Sequence, residues 1–249
     1  MSVAPTLVFD LDGTLADTAP DLMGALNFVL QRERVAPLPV AAARRLLGAG
    51  GRALIQRGFA ESGRQIDAAT LERLFVDFLA HYNAHIADGT TLFPGVVACL
   101  DRCAAAGWRL AVCTNKMEHS TKLLLGKLGV LDRFAFVCGQ DTFGVGKPDP
   151  KPFVETVRAA GGALDRAVMV GDSKTDVAIA RAAGVPVICV DFGYTDVPVA
   201  ELDPDRVVSH FDDVFDAAAE LLEAASKAAR RLDSPTRPAL NEAPAAGGD

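Results

Sequence analysis

The part of the sequence that most constrains the fold reads TLVFDLDGT, residues 6–14. Its first four residues have the apolar and β-branched character of a buried strand, and Asp10 and Asp12 follow it directly. Gly13 then allows the chain to turn sharply. Because carboxylates next to a buried strand are costly to desolvate, the segment predicts a strand whose end carries acids with a chemical task.

The rest of the chain alternates short apolar runs with helical patterns. Counting the first run as 6–10, further strands are predicted at 109–114, 135–139, 167–171 and 187–191. Helices are predicted between them, for example over 96–106, 119–128, 151–160 and 173–183. This alternation is typical of βαβ units, so the sequence predicts an α/β fold with a Rossmann-like parallel sheet covered on both faces.

Two segments depart from the alternation. Residues 17–88 contain no convincing strand, and their amphipathic patterns predict a small helical insert between the first strand and the others. The main α/β domain is therefore expected to comprise 1–16 and 89–224. Residues 225–249 are rich in alanine and proline and lack apolar periodicity, which predicts a frayed helix end followed by a disordered tail.

Composition and charge argue against several classes of partner. The chain has 249 residues and a net charge of −7, whereas a nucleic-acid partner calls for basic patches that bind phosphates. No apolar run reaches the length of a membrane span, so no membrane partner is expected. Five scattered cysteines and the lack of a signal peptide indicate a reduced, cytoplasmic protein.

Three further polar motifs follow predicted strands. Thr114 and Asn115 offer a hydroxyl and an amide that can donate hydrogen bonds to phosphate oxygens, although both residue types are also common in ordinary turns. Lys147 stands in GKPDP, where two prolines stiffen the loop around a cation that would otherwise be an ordinary solvated lysine. Asp172 and Asp176, in GDSKTD, suit a hard cation such as Mg²⁺ or the capping of a helix.

The acids at the end of the first strand are suited to phosphoryl transfer. A carboxylate can attack phosphorus and form an aspartyl-phosphate, while a second acid protonates the leaving alcohol and later deprotonates water. In an open parallel sheet the ligand lies beyond the carboxyl ends of the strands, so Asp10, Thr114 and Asp172 are expected to converge there. Taken alone, the acid pair also fits a capped strand end with Asp12 in a turn.

In their order and at their strand ends, the four motifs resemble those of the haloacid dehalogenase-like hydrolase superfamily, over residues from about 6 to 215. The resemblance implies that Asp10 is the nucleophile and Asp12 the general acid and base. Dehalogenases of this superfamily lack an acid two residues after the nucleophile, because a halide needs no proton donor. Asp12 therefore favours phosphate chemistry.

The resemblance also implies binding roles. It implies a phosphate site formed by three residues, Thr114, Asn115 and Lys147, of which Lys147 also stabilises the charge that develops in the reaction. It implies a Mg²⁺ site formed by the side chain of Asp10, the backbone carbonyl of Asp12 and the side chain of Asp172. Asp176 is expected to support this site by orienting Lys147 or a metal-bound water.

The helical insert at 17–88 resembles the α-helical cap of the superfamily, which excludes water and supplies specificity. Its segment GAGGRALI, residues 48–55, is similar to the substrate-reading loop of phosphoglycolate phosphatases. Arg52 in this loop is a candidate for pairing with a substrate carboxylate, although a solvated arginine at a helix start fits the pattern equally well.

These observations predict an enzyme, a Mg²⁺-dependent phosphomonoester hydrolase whose substrate is 2-phosphoglycolate. Three alternatives stay open at this point. The first is a phosphatase of another small phosphorylated metabolite, such as a sugar phosphate, a nucleotide or pyrophosphate. The second is a phosphomutase, and the least favoured is a non-catalytic binding protein with the same fold.

Overall fold

The computed structural model describes residues 3–195 and 197–232. Its strands are β1 (Thr6–Phe9), β2 (Ala16–Asp17), β3 (Thr91–Leu92), β4 (Arg109–Cys113), β5 (Phe136–Cys138), β6 (Ala167–Gly171), β7 (Val187–Val190) and β8 (Arg206–Val208). The main sheet has six parallel strands in the order β5-β4-β1-β6-β7-β8. The predicted α/β fold with a parallel sheet is therefore confirmed.

The α-helices follow the alternation that the sequence predicts. They are α1 (Ala19–Arg32), α2 (Ala43–Leu46), α3 (Gly51–Glu61), α4 (Ala68–Ala84), α5 (Val96–Ala105), α6 (Glu118–Lys127), α7 (Pro150–Ala159), α8 (Lys174–Ala183) and α9 (Val214–Leu232). Two of them, α4 and α7, begin after an aspartate whose side chain caps the helix. Asp67 accepts a hydrogen bond from the backbone N–H of Thr70 at the start of α4, and Asp149 accepts one from Lys151 at the start of α7.

The central strand β1 is buried on both sides. Its four residues have no exposed surface. Leu7 and Phe9 face the larger apolar core, which includes residues of the helical insert, whereas Val8 faces the second core on the opposite side of the sheet. Burial on both faces explains why the strand is a continuous apolar run.

Four helices, α1 to α4, lie between β2 and β3, where the sequence predicts the helical insert. The two short strands pair antiparallel, so the chain leaves and re-enters the main domain side by side. Neither strand was predicted, because two residues are too few to show a periodic pattern. The edge strand β8 was also missed, since Arg206 and Val207 are exposed and leave it without an apolar run.

The predicted tail, 225–249, overlaps α9, which continues to Leu232. The rest of that tail, 233–249, lies outside the described residues. Within the described part of the chain, none of the helices has both the length and the apolar character needed to cross a bilayer.

Candidate active site

The predicted motifs meet at the carboxyl edge of the main sheet. Asp10 follows β1, Thr114 follows β4 and Asp172 follows β6. Because β1 lies between β4 and β6, these side chains come from neighbouring strand ends. The chain crosses from one side of β1 to the other at this point, which is the position where open α/β sheets bind ligands.

Asp10 lies against a buried lysine. The Nζ atom of Lys147 is 2.9 Å from Oδ1 of Asp10 and 2.6 Å from Oδ1 of Asp176, and all three side chains are almost fully buried. Burial raises the pKa of Asp10 to about 6, and the charge of Lys147 opposes the rise. Burial would lower the pKa of Lys147, but Asp10 and Asp176 outweigh it and raise that pKa, so the lysine stays charged.

Asp176 anchors this arrangement. Its Oδ2 accepts hydrogen bonds from the backbone N–H of Ser173 (3.0 Å), from the hydroxyl of Ser173 (2.7 Å) and from the backbone N–H of Asp172 (3.2 Å). The bond from the backbone N–H of Ser173, together with one from the backbone N–H of Asp176 to the Ser173 side chain, forms the capping box of α8, while Oδ1 of Asp176 accepts from Lys147. A Cβ atom at Gly171 would overlap the Asp176 side chain, so this close approach requires glycine. Asp176 therefore fixes the position of Lys147.

Asp172 is held by the turn after β1 and by a loop after β7. Its Oδ1 accepts a hydrogen bond from the hydroxyl of Thr14 at 3.1 Å, and its Oδ2 accepts one from the backbone N–H of Tyr194 at 2.6 Å. A Cβ atom at Gly13, where φ is +82°, or at Gly193 would overlap Oδ2 of Asp172. Burial, Asp176 and Asp10 raise the pKa of Asp172.

The acidic cluster fits a divalent cation. Carboxylate oxygens of Asp10, Asp172 and Asp176 lie within 4.8 Å of one another, and all three residues are buried. Although Lys147 lies 2.9 Å away, the buried Oδ1 of Asp10 accepts no hydrogen bond of good geometry from the described residues. When ionised, three acids beside one lysine leave two negative charges uncompensated. Oxygen donors with this charge suit a hard divalent ion.

Asp12 has a lysine of its own. The Nζ atom of Lys116 lies 2.9 Å from Oδ1 of Asp12, and the side chain of Lys116 is only 5% exposed. The same ammonium group lies over the ring of Tyr82, 4.5 Å from its centroid. Burial would lower the pKa of Lys116, but Asp12 and Tyr82 together outweigh it and raise that pKa. Asp12 therefore faces a permanently charged ammonium group.

Thr114 and Asn115, which follow β4, make different hydrogen bonds. The hydroxyl oxygen of Thr114 accepts a hydrogen bond from the backbone N–H of Lys116 at 3.3 Å, which leaves the hydroxyl proton for another acceptor. The amide of Asn115 donates to the backbone carbonyl of Lys147 at 3.2 Å and accepts from its N–H at 2.8 Å. Asn115 therefore clamps the loop that carries Lys147.

A small cavity of about 40 Å³ separates this edge of the sheet from the helical insert. Its polar lining includes Asp12, Asn115 and Lys116, and the insert contributes apolar side chains together with Tyr82. The hydroxyl of Ser120 on α6 donates to Oδ1 of Asn83 on α4 at 2.7 Å, which joins the insert to the sheet domain near the cavity.

Comparison with known proteins identifies the family of this chain. The model of the family described as haloacid dehalogenase-like hydrolase matches residues 7–190. The chain belongs to the haloacid dehalogenase-like hydrolases. It is 48% identical to a phosphoglycolate phosphatase from Mesorhizobium japonicum over 88% of this chain and 96% of that protein. It is 46% identical to one from Caulobacter vibrioides, over 87% and 92% of the two chains.

A solved structure agrees with this assignment. A predicted phosphoglycolate phosphatase from Haemophilus somnus 129PT superimposes on this haloacid dehalogenase-like hydrolase with a TM-score of 0.80. The two chains are 27% identical, and the match covers 87% of this chain and 98% of that one. The family that the sequence predicts is confirmed, and so is its identification as a phosphatase.

The predicted site residues of the hydrolase lie together at this edge of the sheet, with the exception of Arg52. Arg52 on α3 makes two hydrogen bonds of 2.7 Å to Glu72 and stacks on Phe75, with its guanidinium carbon 3.8 Å from the ring centroid. It is 43% exposed and does not line the cavity. The structure therefore does not bring Arg52 to the site.

Lys116 and Tyr82 line the cavity but are not among the predicted site residues. Lys116 directly follows Thr114 and Asn115, so its position after a strand end was the signal that could have identified it. Tyr82 lies on the buried face of α4 with leucine and phenylalanine, a pattern that indicates core packing and hides the hydroxyl that it brings to the cavity.

Proposed function

We propose that this hydrolase is a Mg²⁺-dependent phosphatase that hydrolyses 2-phosphoglycolate through an aspartyl-phosphate on Asp10. One observation supports the chemistry. Asp10 is buried between Lys147 and the acids Asp172 and Asp176, whereas Asp12, two residues later, pairs with a different lysine, Lys116. The choice of substrate is supported by the two curated relatives named above, which are phosphoglycolate phosphatases and match almost the whole of this chain.

Each site residue then has a distinct task. The side chains of Asp10 and Asp172 and the backbone carbonyl of Asp12 would hold the cation, which when bound neutralises part of the phosphate charge. Thr114, with its free hydroxyl proton, and Lys147 would bind the phosphate oxygens. We assign Asn115 and Asp176 the task of positioning Lys147, because both already hydrogen-bond to it.

The first step transfers the phosphoryl group to the enzyme. A carboxylate oxygen of Asp10 attacks phosphorus, the bond from phosphorus to the ester oxygen breaks, and Asp12 gives its proton to the glycolate that leaves. Lys147 lies 2.9 Å from Oδ1 of Asp10, where its charge also stabilises the negative oxygens of the transferring group.

The second step releases the phosphate. Asp12 takes a proton from a water molecule that attacks phosphorus, and the bond between phosphorus and Asp10 breaks. This regenerates the carboxylate of Asp10 and the protonated Asp12. The helical insert at 17–88 would act as the cap that limits the entry of bulk water to the cavity beneath it.

The substrate is tested by measuring phosphate release with Mg²⁺ from 2-phosphoglycolate, a hexose phosphate, a nucleoside monophosphate and pyrophosphate. We expect the highest kcat/KM for 2-phosphoglycolate. A higher value for another ester would refute the choice of substrate. Isomerised product without free phosphate would indicate a mutase instead.

The intermediate is tested by acid-quenching the enzyme with substrate labelled at phosphorus. We expect the quenched wild type to carry label that Asp10→Asn lacks, and Asp10→Asn to show no turnover. Asp12→Asn should turn over slowly, because Asp12 serves both steps. Asp165→Asn, at an exposed acid in the turn before β6, serves as the matched control and should behave like the wild type. Normal turnover by Asp10→Asn would rule out the mechanism.

A further inference from the structure

The cavity beneath the helical insert has a single cationic side chain. Among the described residues that line it, Lys116 alone is basic, and Asp12 alone is acidic. An ammonium group has three N–H donors, of which the contact with Asp12 uses one and the hydroxyl oxygen of Tyr82 can accept a second. Lys116 therefore keeps a donor for a ligand in the cavity while it remains paired with Asp12.

A second unused donor lies beside this ammonium group. The side chain of Tyr82 is 1% exposed, it lines the cavity, and its hydroxyl has no hydrogen-bond partner of good geometry among the described residues. Burial raises the pKa of Tyr82 to about 12, with Lys116 opposing the rise, so the hydroxyl stays protonated at neutral pH. The Tyr82 oxygen can accept from Lys116, but the hydroxyl proton has no acceptor of good geometry among the described residues, and a buried donor of this kind in a cavity wall indicates a missing ligand oxygen.

The position of Lys116 relative to Asp12 agrees with the shape of the proposed substrate. In 2-phosphoglycolate a single methylene group separates the ester oxygen from the carboxylate. Asp12 is assigned to protonate that ester oxygen, and the ammonium group lies 2.9 Å from Asp12. A substrate whose ester oxygen reaches Asp12 therefore places its carboxylate within a few ångströms of Lys116 and Tyr82.

We propose that Lys116 and Tyr82 form the subsite that binds the carboxylate of the substrate, an inference that rests on the proposed function. Lys116 supplies the charge, and the hydroxyl of Tyr82 donates a second hydrogen bond. This subsite takes the role that the sequence suggests for Arg52, which instead pairs with Glu72 away from the cavity. An ester without a carboxylate leaves both donors unpaired, which selects against it.

The test compares 2-phosphoglycolate with ethyl phosphate, a similar small ester without a carboxylate. For Tyr82→Phe, which removes only the hydroxyl, we expect kcat/KM for 2-phosphoglycolate to fall about tenfold, mainly through KM. For Lys116→Met we expect the preference for 2-phosphoglycolate over ethyl phosphate to fall about 30-fold, which corresponds to ~2 kcal/mol at ~1.36 kcal/mol per tenfold change. Lys127→Met, at an exposed lysine of α6, is the control and should keep the preference.

The comparison of substrates separates the outcomes. Equal losses for both esters in the Lys116 and Tyr82 variants would show that these residues act only through Asp12 or the fold, and would overturn the subsite. A wild-type enzyme with no preference for 2-phosphoglycolate would overturn the proposed substrate, and the subsite with it. Should Lys116→Met fail to fold, Tyr82→Phe decides alone, because it leaves the pair of Asp12 and Lys116 intact.

Discussion

The clamp between Asn115 and the backbone of Lys147 leads to a prediction that separates positioning from phosphate binding. In Asn115→Ala the N–H and the carbonyl of Lys147 lose hydrogen bonds of 2.8 and 3.2 Å at a site where Asn115 is only 7% exposed. At ~1 kcal/mol for each bond, the free energy of unfolding should fall by about 2 kcal/mol. For a chain of this size that corresponds to a decrease in Tm of about 4–8 °C.

The same change should also lower activity. Without the clamp Lys147 is less well placed beside Asp10, and small misplacements of a catalytic group lower kcat by on the order of tenfold to hundredfold. Urea unfolding and steady-state kinetics with 2-phosphoglycolate measure the two effects on one preparation. Inhibition by inorganic phosphate should change little, since the side chain of Asn115 is engaged with Lys147 and not with the phosphate.

The chain contains a matched control for this experiment. Asn27 on α1 clamps the backbone of Leu38 in the same way, with hydrogen bonds of 2.8 and 2.7 Å, but it lies in the helical insert away from the acidic cluster. Asn27→Ala should therefore destabilise the protein by a similar amount while kcat stays near the wild-type value. If Asn115→Ala keeps its stability and instead weakens inhibition by phosphate, Asn115 is a phosphate ligand and the clamp interpretation is wrong.

Further predictions concern the turn after β1, the cation and the pH dependence. Gly13→Ala should lower kcat at least hundredfold, because its Cβ overlaps Asp172 and its φ is +82°, whereas Gly107→Ala, with φ of +73° and open space, should lose only ~1 kcal/mol of stability. A chelator should abolish phosphate release, added Mg²⁺ should restore it, and Mg²⁺ should raise the Tm of the wild type but not of Asp172→Asn. In the metal-free protein the pKa of Asp10 is about 6, against 3.8 when unfolded. The folded state thus binds this proton more tightly, and Asp10 should contribute a fall of about 3 kcal/mol in the free energy of unfolding as pH rises from about 4 to about 6. The fall should be smaller in Asp10→Asn, where the raised pKa of Asp172 still contributes.

The features that could be predicted from the sequence are those that depend on residues close together along the chain. Asp10 and Asp172 each follow a buried apolar run directly, so the run predicts both the strand and the end at which the acid emerges. The exposed edge strand β8 has no such run, because Arg206 faces solvent. Its existence depends on pairing with β7, which is a tertiary contact and has no local signal.

The partners of charged side chains could not be predicted for the same reason. Arg52 and Lys116 each follow glycines or small polar residues at the start of a helix or loop, and both are credible ligands for an anion. What separates them is a partner distant in sequence. Glu72 on α4 takes both hydrogen bonds of Arg52, whereas Lys116 meets Asp12 inside the fold.

The two acids of the first motif acquire different proposed roles from these partners. Asp10 lies in a cluster with Asp172 and Asp176, where it pairs with Lys147. Asp12, two residues on, faces the cavity and pairs with Lys116. When neighbouring carboxylates have such different surroundings, one can act as the nucleophile and the other can exchange protons. Both acids follow β1 within three residues, but the two lysines, from loops after β4 and β5, give them different surroundings.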